Sequence, residues 1–298
     1  MIEKAINILN IIENNGYNAY IVGGYIRDLL LNNKSSDIDL ASNATPNDLY
    51  NIFGEKLVMD NYGSSRLLYD GEVFEITTFR KEEKYIKNRK PSKISYVDSI
   101  YDDVNRRDFT MNALYMDKNM NIIDLVNGKE DIKNRIIRSI GDPFEKINED
   151  SFRILRCIRF SCTLKFSIDQ SLEKAIIMYK KNLKNISHLR KREEIEKIIK
   201  SDNYKLGLYL LNKYNLYEEL GIKVNNIIKT SDVLGFWAQV DLLEDYEFSK
   251  KEKIIINNIK EIINYGKIDD NVLNKYNELE ISISKEIIEG GLLWKIKY

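Results

Sequence analysis

The stretch Tyr20–Ser42, YIVGGYIRDLLLNNKSSDIDLAS, reads as a strand, a glycine turn, a short helix, a polar loop and a second strand. It carries Gly23-Gly24, the Arg27-Asp28 pair, and Asp37 and Asp39 on either side of Ile38. Side chains alternate faces along a strand, so residues two apart point the same way. Asp37 and Asp39 are therefore expected to project together. Neighbouring carboxylates repel unless protons or cations lie between them, and an oxygen-only pair suits Mg²⁺ held by one or two carboxylates plus substrate phosphates. This is the pattern of phosphoryl-transfer chemistry. A solvated Asp-x-Asp at a strand edge is the plainer alternative, and the rest of the chain decides between them.

At 298 residues the chain is long enough for two or three folded units. Its 46 Lys plus Arg balance 46 Asp plus Glu, so net charge points to no partner. The distribution is uneven: residues 151–200 hold 13 basic against 5 acidic side chains, while residues 1–60 hold 4 against 8. That asymmetry fits a polyanion-binding surface beside an acidic catalytic head, or simply soluble basic helices. Cys157 and Cys162, five apart on an expected helix, fit neither a zinc knuckle nor a disulfide framework, and a reducing compartment is expected. The first residues lack a basic-then-apolar leader, and no run approaches the roughly 18 apolar residues of a membrane span. A cytoplasmic protein with no membrane partner is the expectation. The single histidine, His188, excludes multi-histidine metal sites and is expected at the surface.

Ile2, Ile6, Leu9 and Ile12 recur at helical spacing up to Gly16. Thr45-Pro46-Asn47-Asp48 has the form of a helix start: a capping hydroxyl, proline at the first position and an acid at the third. Residues 66–69 and 72–78 read as strands joined by Asp70-Gly71, a two-residue hairpin turn. In the second strand Phe74 and Ile76 share a face, and Glu75 points away from them. Residues 80–93 hold 7 basic and 2 acidic side chains and predict a mobile basic loop. A further hairpin, 114–116 with 121–125, closes an α/β unit of mixed sheet and helices. From Pro143 onward strand signals stop; helices are predicted near 147–163, 169–181, 189–200 and 204–213, with breaks at Gly221 and Gly266.

The segments GGYIRDLLLN, DIDLA, Thr45-Pro46, EITTFR, RRDFTMNAL, DLVNGKEDI, IRSIGDP and NEDSFRILRCIRF follow one another in order. Together they resemble the class II tRNA nucleotidyltransferases, the CCA-adding enzymes and their bacterial poly(A) polymerase relatives, over about residues 1–200. The resemblance implies an α+β fold: a polymerase-beta-like nucleotidyltransferase head at 1–140, then an all-helical neck for base selection at 141–200. A helical body at 201–298 follows, its tail reduced or missing. It also implies template-independent addition of C, C and A to the 3′ end of tRNA from CTP and ATP, with Mg²⁺ as cofactor. An A-adding or poly(A) polymerase of the same family and a non-catalytic RNA-binding protein are the alternatives.

On that resemblance Asp37 and Asp39 are the metal ligands. Glu75 is either a third catalytic carboxylate or an ordinary exposed strand residue. Gly23 and Gly24 let main-chain amides approach a triphosphate, with Arg27 adding a charged contact. Arg106, Arg107, Asp108 and Asn112 match the family's ribose- and phosphate-holding motif. Asp108 and Asn112 are expected on one helix face, and one of the two arginines in a structural ion pair. Glu149, Asp150 and Arg153 are the expected protein template: on one helix, both acids brace the arginine. Cytosine and adenine each show an amino donor beside a ring-nitrogen acceptor, which a carboxylate and a guanidinium match; uracil and guanine show the reverse. Arg156 and Arg159 continue toward nucleotide or tRNA, and Arg80, Arg89, Lys90 and Arg190 are candidate RNA contacts. Arg190 and Glu194 are alternatively read as helix-stabilising.

The 79–91 segment keeps the family's Phe79-Arg80, Tyr85 and Arg89-x-Pro91 spacing, which in this family favours addition of A as well as C. It lacks the family's usual glycine near position 83. Relatives of this type run about a hundred residues longer, so the expected grip on tRNA is weaker and more sensitive to salt.

Overall fold

The computed structural model describes residues 1–35, 37–60, 63–86 and 90–297, without the side chains of 83–92 and 292–297. Arg89 and the side chains of Tyr85, Lys90 and Pro91 thus lie outside the described residues. Two compact units form, one of Met1–Arg153 with Phe166–Tyr179 and one of Ile154–Lys165 with Lys180–Tyr298.

In the first unit, helix α1 (Ile2–Asn14) buries Ala5, Ile8, Leu9 and Ile12. That stripe is turned slightly from the expected one, with Ile2 and Ile6 at its margin. Strand β1 (Ala19–Val22), helix α2 (Gly24–Leu30) and strand β2 (Asp39–Ser42) follow. Helix α3 (Pro46–Phe53) begins with a capping box: Thr45 and Asp48 each satisfy the other's main-chain N–H. Strands β3 (Leu57–Met59), β4 (Ser64–Tyr69) and β5 (Glu72–Thr78) come next. Asp70 and Gly71 turn the chain with φ of 49° and 78°, the two positive values a tight hairpin requires.

Seven strands form one mixed sheet in the order β3-β4-β5-β2-β1-β8-β9, with β8 at Leu114–Met116 and β9 at Ile122–Asp124. The β2–β5 pair is parallel and its neighbours are antiparallel. Phe74 and Ile76 of β5 are fully buried, whereas Val73 and Glu75 are exposed, as period-two alternation demands. Each buried side chain of this size contributes about 1.5–3 kcal/mol. Val22, Ala41, Phe79, Ala113 and Tyr115 pack into one cluster on this sheet.

The segment expected as a loop is a hairpin of β6 (Arg80–Ile86) and β7 (Lys90–Tyr96), antiparallel from Arg80↔Tyr96 to Ile86↔Lys90. Its ladder needs only main-chain groups, and lysine-rich strands deter pairing with foreign edges. Phe79 roots it: its N–H donates to Ser42 O (2.7 Å) and its carbonyl accepts from Val97 N–H (3.0 Å). Helix α4 (Ile100–Asp103) lies beyond the hairpin.

Helix α5 (Gly128–Asn134), strand β10 (Ile136–Ile137) and helix α6 (Pro143–Glu149) continue this unit, and helix α7 (Phe152–Leu164) leaves it. The single helix expected over 147–163 is broken: Asp150 has extended backbone (φ −137°, ψ 95°), and its carboxylate accepts from Phe152 N–H at 3.1 Å. Strand signals do not stop at Pro143 either. β11 (Ser167–Ile168) pairs in parallel with β10 ahead of helix α8 (Gln170–Tyr179), but two residues are too few to show a period.

The second unit holds helices α9 (His188–Lys200), α10 (Tyr204–Lys213) and α11 (Tyr217–Leu220), then strand β12 (Ile222–Lys223), helix α12 (Leu234–Gln239) and strand β13 (Asp241–Leu242). Helices α13 (Lys250–Tyr265), α14 (Asp270–Lys275) and α15 (Glu278–Lys297) end it. Gly221 and Gly266 take left-handed φ (69° and 81°) where α11 and α13 stop. Trp237 is wholly buried against Tyr246 and Phe248, with ring centroids 5.0 and 5.3 Å away. His188 is not a free surface residue: its ring packs on Tyr246 at 5.0 Å and Nε2 lies 3.4 Å from Glu244.

Candidate active site

Asp39 opens β2 and lies in register with Glu75 on parallel β5. Asp37 precedes the strand, exposed, with Ile38 buried between the two aspartates. Burial, then the charges of Asp37 and Glu75, push the Asp39 carboxyl up to about 6, against the opposing pull of Arg107. Three carboxylates therefore share one field. Glu75 also accepts a hydrogen bond from Ser64 Oγ at 2.6 Å. Among the described residues no three His, Cys, Asp or Glu side chains are already drawn together as a metal cage. A hard divalent cation sharing its shell with substrate needs no such cage, and an all-oxygen set under mutual repulsion fits one.

Gly23 caps α2 with φ of 80°, and a Cβ there would sit 3.9 Å from Asp39 Oδ2. A side chain at position 23 would be strained by the left-handed φ, although its Cβ would only touch the carboxylate. Arg27, expected to reach toward phosphate, is buried instead: Nε and Nη2 donate to Asp28 (3.0 Å each) and Nη1 to Asn112 Oδ1 (2.6 Å). Asn112 Nδ2 in turn donates to Asp108 (3.2 Å). Asp108 and Asn112 do meet, but not on an α-helix, since only a short 3₁₀ turn spans Thr110–Asn112.

Asp103 is a residue that motif reading passed over. It is fully buried and accepts from Arg106 Nε (2.7 Å), Arg107 Nη2 (2.9 Å) and Tyr115 OH (2.8 Å). Burial raises its pKa, but the arginines and these hydrogen bonds outweigh it and hold the carboxyl at about 2. Both arginines, rather than one, thus enter the ion-pair cluster. The signal was present in the chain, because Asp103 lies three and four residues before Arg106 and Arg107.

The expected helical brace around Arg153 does not form, because the backbone leaves the helix at Asp150. Glu149 pairs with Lys146 (2.9 Å). Arg153, only 4% exposed, donates to the carbonyls of Arg106 (3.0 Å) and Lys146 (3.4 Å). The carbonyl of the phosphate-motif arginine thus anchors the expected template arginine.

Other expected contacts are engaged locally. Arg80 pairs with Glu82 (2.7 Å). In the second unit Arg159 donates to buried Glu194 (2.6 Å) and lies 4.0 Å over the Phe160 ring, with Arg156 at 5.4 Å. Arg190 is exposed on α9.

The fold defines the class: a polymerase-beta-like nucleotidyltransferase head with helical segments after it. Residues 19–138 match the family model described as the poly A polymerase head domain, and residues 165–221 that described as the probable RNA and SrmB-binding site of polymerase A. The CCA-adding enzyme of Lactobacillus helveticus is 42% identical over 196 residues, covering 65% of this chain and 49% of that protein. The CCA-adding enzyme of Staphylococcus aureus (strain Newman) is 34% identical over 276 residues, 90% of this chain and 69% of that protein. The crystal structure of the Bacillus stearothermophilus CCA-adding enzyme in complex with CTP matches with a TM-score of 0.68 at 34% identity, over 74% of this chain and 53% of that one. The chain belongs to the class II tRNA nucleotidyltransferase family, that of the CCA-adding enzymes and bacterial poly(A) polymerases. It spans about half the length of the Lactobacillus relative.

Proposed function

We propose that this chain adds C, C and A to the 3′ end of tRNA, without a nucleic-acid template, from CTP and ATP and with release of pyrophosphate. The observation that carries this reading is the pairing of Asp39 with Glu75 on parallel strands, with Asp37 just before β2 and both Asp37 and Arg107 acting on Asp39. Members of the family are metal-dependent, and here Asp37 and Asp39 would hold Mg²⁺. Bound there, the cation supplies charge neutralisation for the triphosphate and activation of the 3′-hydroxyl. Glu75 stands beside Asp39 and accepts the Ser64 hydroxyl. Gly23 and Gly24 keep that edge clear for phosphate, and Arg106 and Arg107 offer it positive charge. Arg27 acts through Asn112, and Asn112 through Asp108, to shape the ribose side of the pocket.

Base choice falls to Asp150 and Arg153. A guanidinium has more donors than the two carbonyls of Lys146 and Arg106 use, and a carboxylate accepts from an amino group. That combination suits cytosine and adenine. Glu149 holds Lys146, whose carbonyl Arg153 grips. The basic 151–200 region, with Arg156, Arg159 and Arg190, and the hairpin residues Arg80, Arg89 and Lys90 would serve RNA. This assigns nucleotidyl transfer to a head at 1–140, base selection to a neck at 141–200 and RNA support to a body at 201–298. Among the described residues no helix is long and apolar enough to cross a membrane. The cytoplasm, where tRNA is matured, is the proposed place of action.

The test incubates the protein with Mg²⁺ and tRNA lacking its terminal triplet, offering CTP, ATP, UTP and GTP singly and together. Three added residues with CTP plus ATP are expected. A long A ladder would instead identify a poly(A) polymerase, and no extension would refute nucleotidyl transfer altogether.

A further inference from the structure

Asp103 does more than neutralise two arginines. Its Oδ1 accepts both Arg106 Nε (2.7 Å) and the main-chain N–H of Arg80 (3.2 Å), the first residue of the β6–β7 hairpin. Its Oδ2 accepts Arg107 Nη2 (2.9 Å), Arg107 Nε (3.1 Å) and the Tyr115 hydroxyl (2.8 Å). The adjacent Asp102 reaches the same hairpin through Lys81 at 2.8 Å. One wholly buried carboxylate therefore ties the hairpin root to the arginine pair.

Arg107 and Arg80 both act electrostatically on Arg106 beside Asp103, a like-charge repulsion that an entering polyanion relieves. Phosphate oxygens compete with Asp103 for the same N–H groups. As the arginines turn to phosphate, Oδ1 and Oδ2 lose their strongest donors and the carboxylate is no longer held against the Arg80 amide.

We propose that Asp103 is a positioning residue that couples triphosphate binding at Arg106 and Arg107 to release of the hairpin root at Arg80. This rests on the nucleotide-transfer reading above, and its test is separate. Amide hydrogen exchange at Arg80 is followed in the full chain with and without CTP and Mg²⁺, alongside calorimetric CTP binding. In the wild type, CTP is expected to speed Arg80 exchange about tenfold, the loss of one charge-assisted hydrogen bond. In Asp103→Asn, whose neutral amide cannot hold two guanidinium groups, exchange starts fast and CTP leaves it unchanged. Should that variant not fold, Tyr115→Phe removes one donor and is expected to raise the starting rate and shrink the CTP response. A wild type that binds CTP with Arg80 exchange unaltered, or a variant that keeps the full response, overturns the coupling alone. A wild type that binds no CTP overturns the nucleotide-transfer reading and this inference with it.

Discussion

Asp39 and Glu75, 36 positions apart in the chain, stand opposite each other on the parallel strands β2 and β5. Parallel pairing puts two acids side by side on interior strands of the sheet, and Asp37 adds a third charge. Burial first, and then the charges of Asp37 and Glu75, raise the Asp39 carboxyl to about 6, a site whose burial and repulsion favour a cation.

Replacing Asp39 with Asn removes that repulsion at neutral pH. A carboxyl whose folded pKa is raised lowers stability as pH climbs from about 4 through about 6 and keeps that cost above. Asp39→Asn is therefore expected to melt at or above the wild-type temperature at pH 7.5 without divalent cation. Transfer should fall by about a thousandfold or more, from loss of several kcal/mol of metal-assisted stabilisation. A clearly lower melting temperature would show that Asp39 supports the fold.

Divalent cation and protons compete for the same oxygens. The rise in melting temperature on adding Mg²⁺ is expected to be larger at pH 8 than at pH 5, where Asp39 is protonated. Equal shifts at both pH values would place the cation elsewhere.

Asp103 predicts an acid limit. Its folded pKa of about 2 lies below the ordinary 3.8, so its contribution to stability is complete above about pH 4 and disappears as pH falls toward 2. Circular dichroism during acid titration should show the wild type losing its margin over Asp103→Asn within that window. Parallel curves would contradict the ion-pair account.

Arg153→Ala takes the guanidinium donor from the carbonyl of Arg106 and leaves that of Lys146 with the Asp150 N–H, a loss of about 1–3 kcal/mol. In the extension assay, misuse of UTP should increase before transfer stops. Unchanged selectivity would remove Arg153 from base choice.

Binding of tRNA should weaken steeply and log-linearly with salt, given the 13 basic and 5 acidic side chains of residues 151–200. Filter binding between low and moderate salt measures the slope, and a flat response would exclude this basic region as the RNA contact.

Much of the fold was legible in the chain because its signals are local. The capping box at Thr45 and Asp48, the Asp70-Gly71 turn, and the alternation that buries Phe74 and Ile76 while exposing Glu75 each involve residues within a few positions of one another. The 80–93 segment misled because its charge reads as loop, while a β ladder is built from main-chain groups that charge does not show. The helix expected across Asp150 failed for another local reason. The Asp150 side chain competes for the Phe152 N–H and opens a new helix there.

The sequence by itself determined the locally capped and alternating elements, such as α3 and β5, and the family through the order of its motifs. Only the tertiary structure decided that Glu75 lies beside Asp39, that Arg27 serves Asp28 and Asn112, and that Asp103 gathers Arg106, Arg107 and the Arg80 amide. Periodicity and capping are set within a turn or two of chain. Strand register and the partner of a buried charge are set by segments dozens of residues apart, and they exist only once burial brings those segments together.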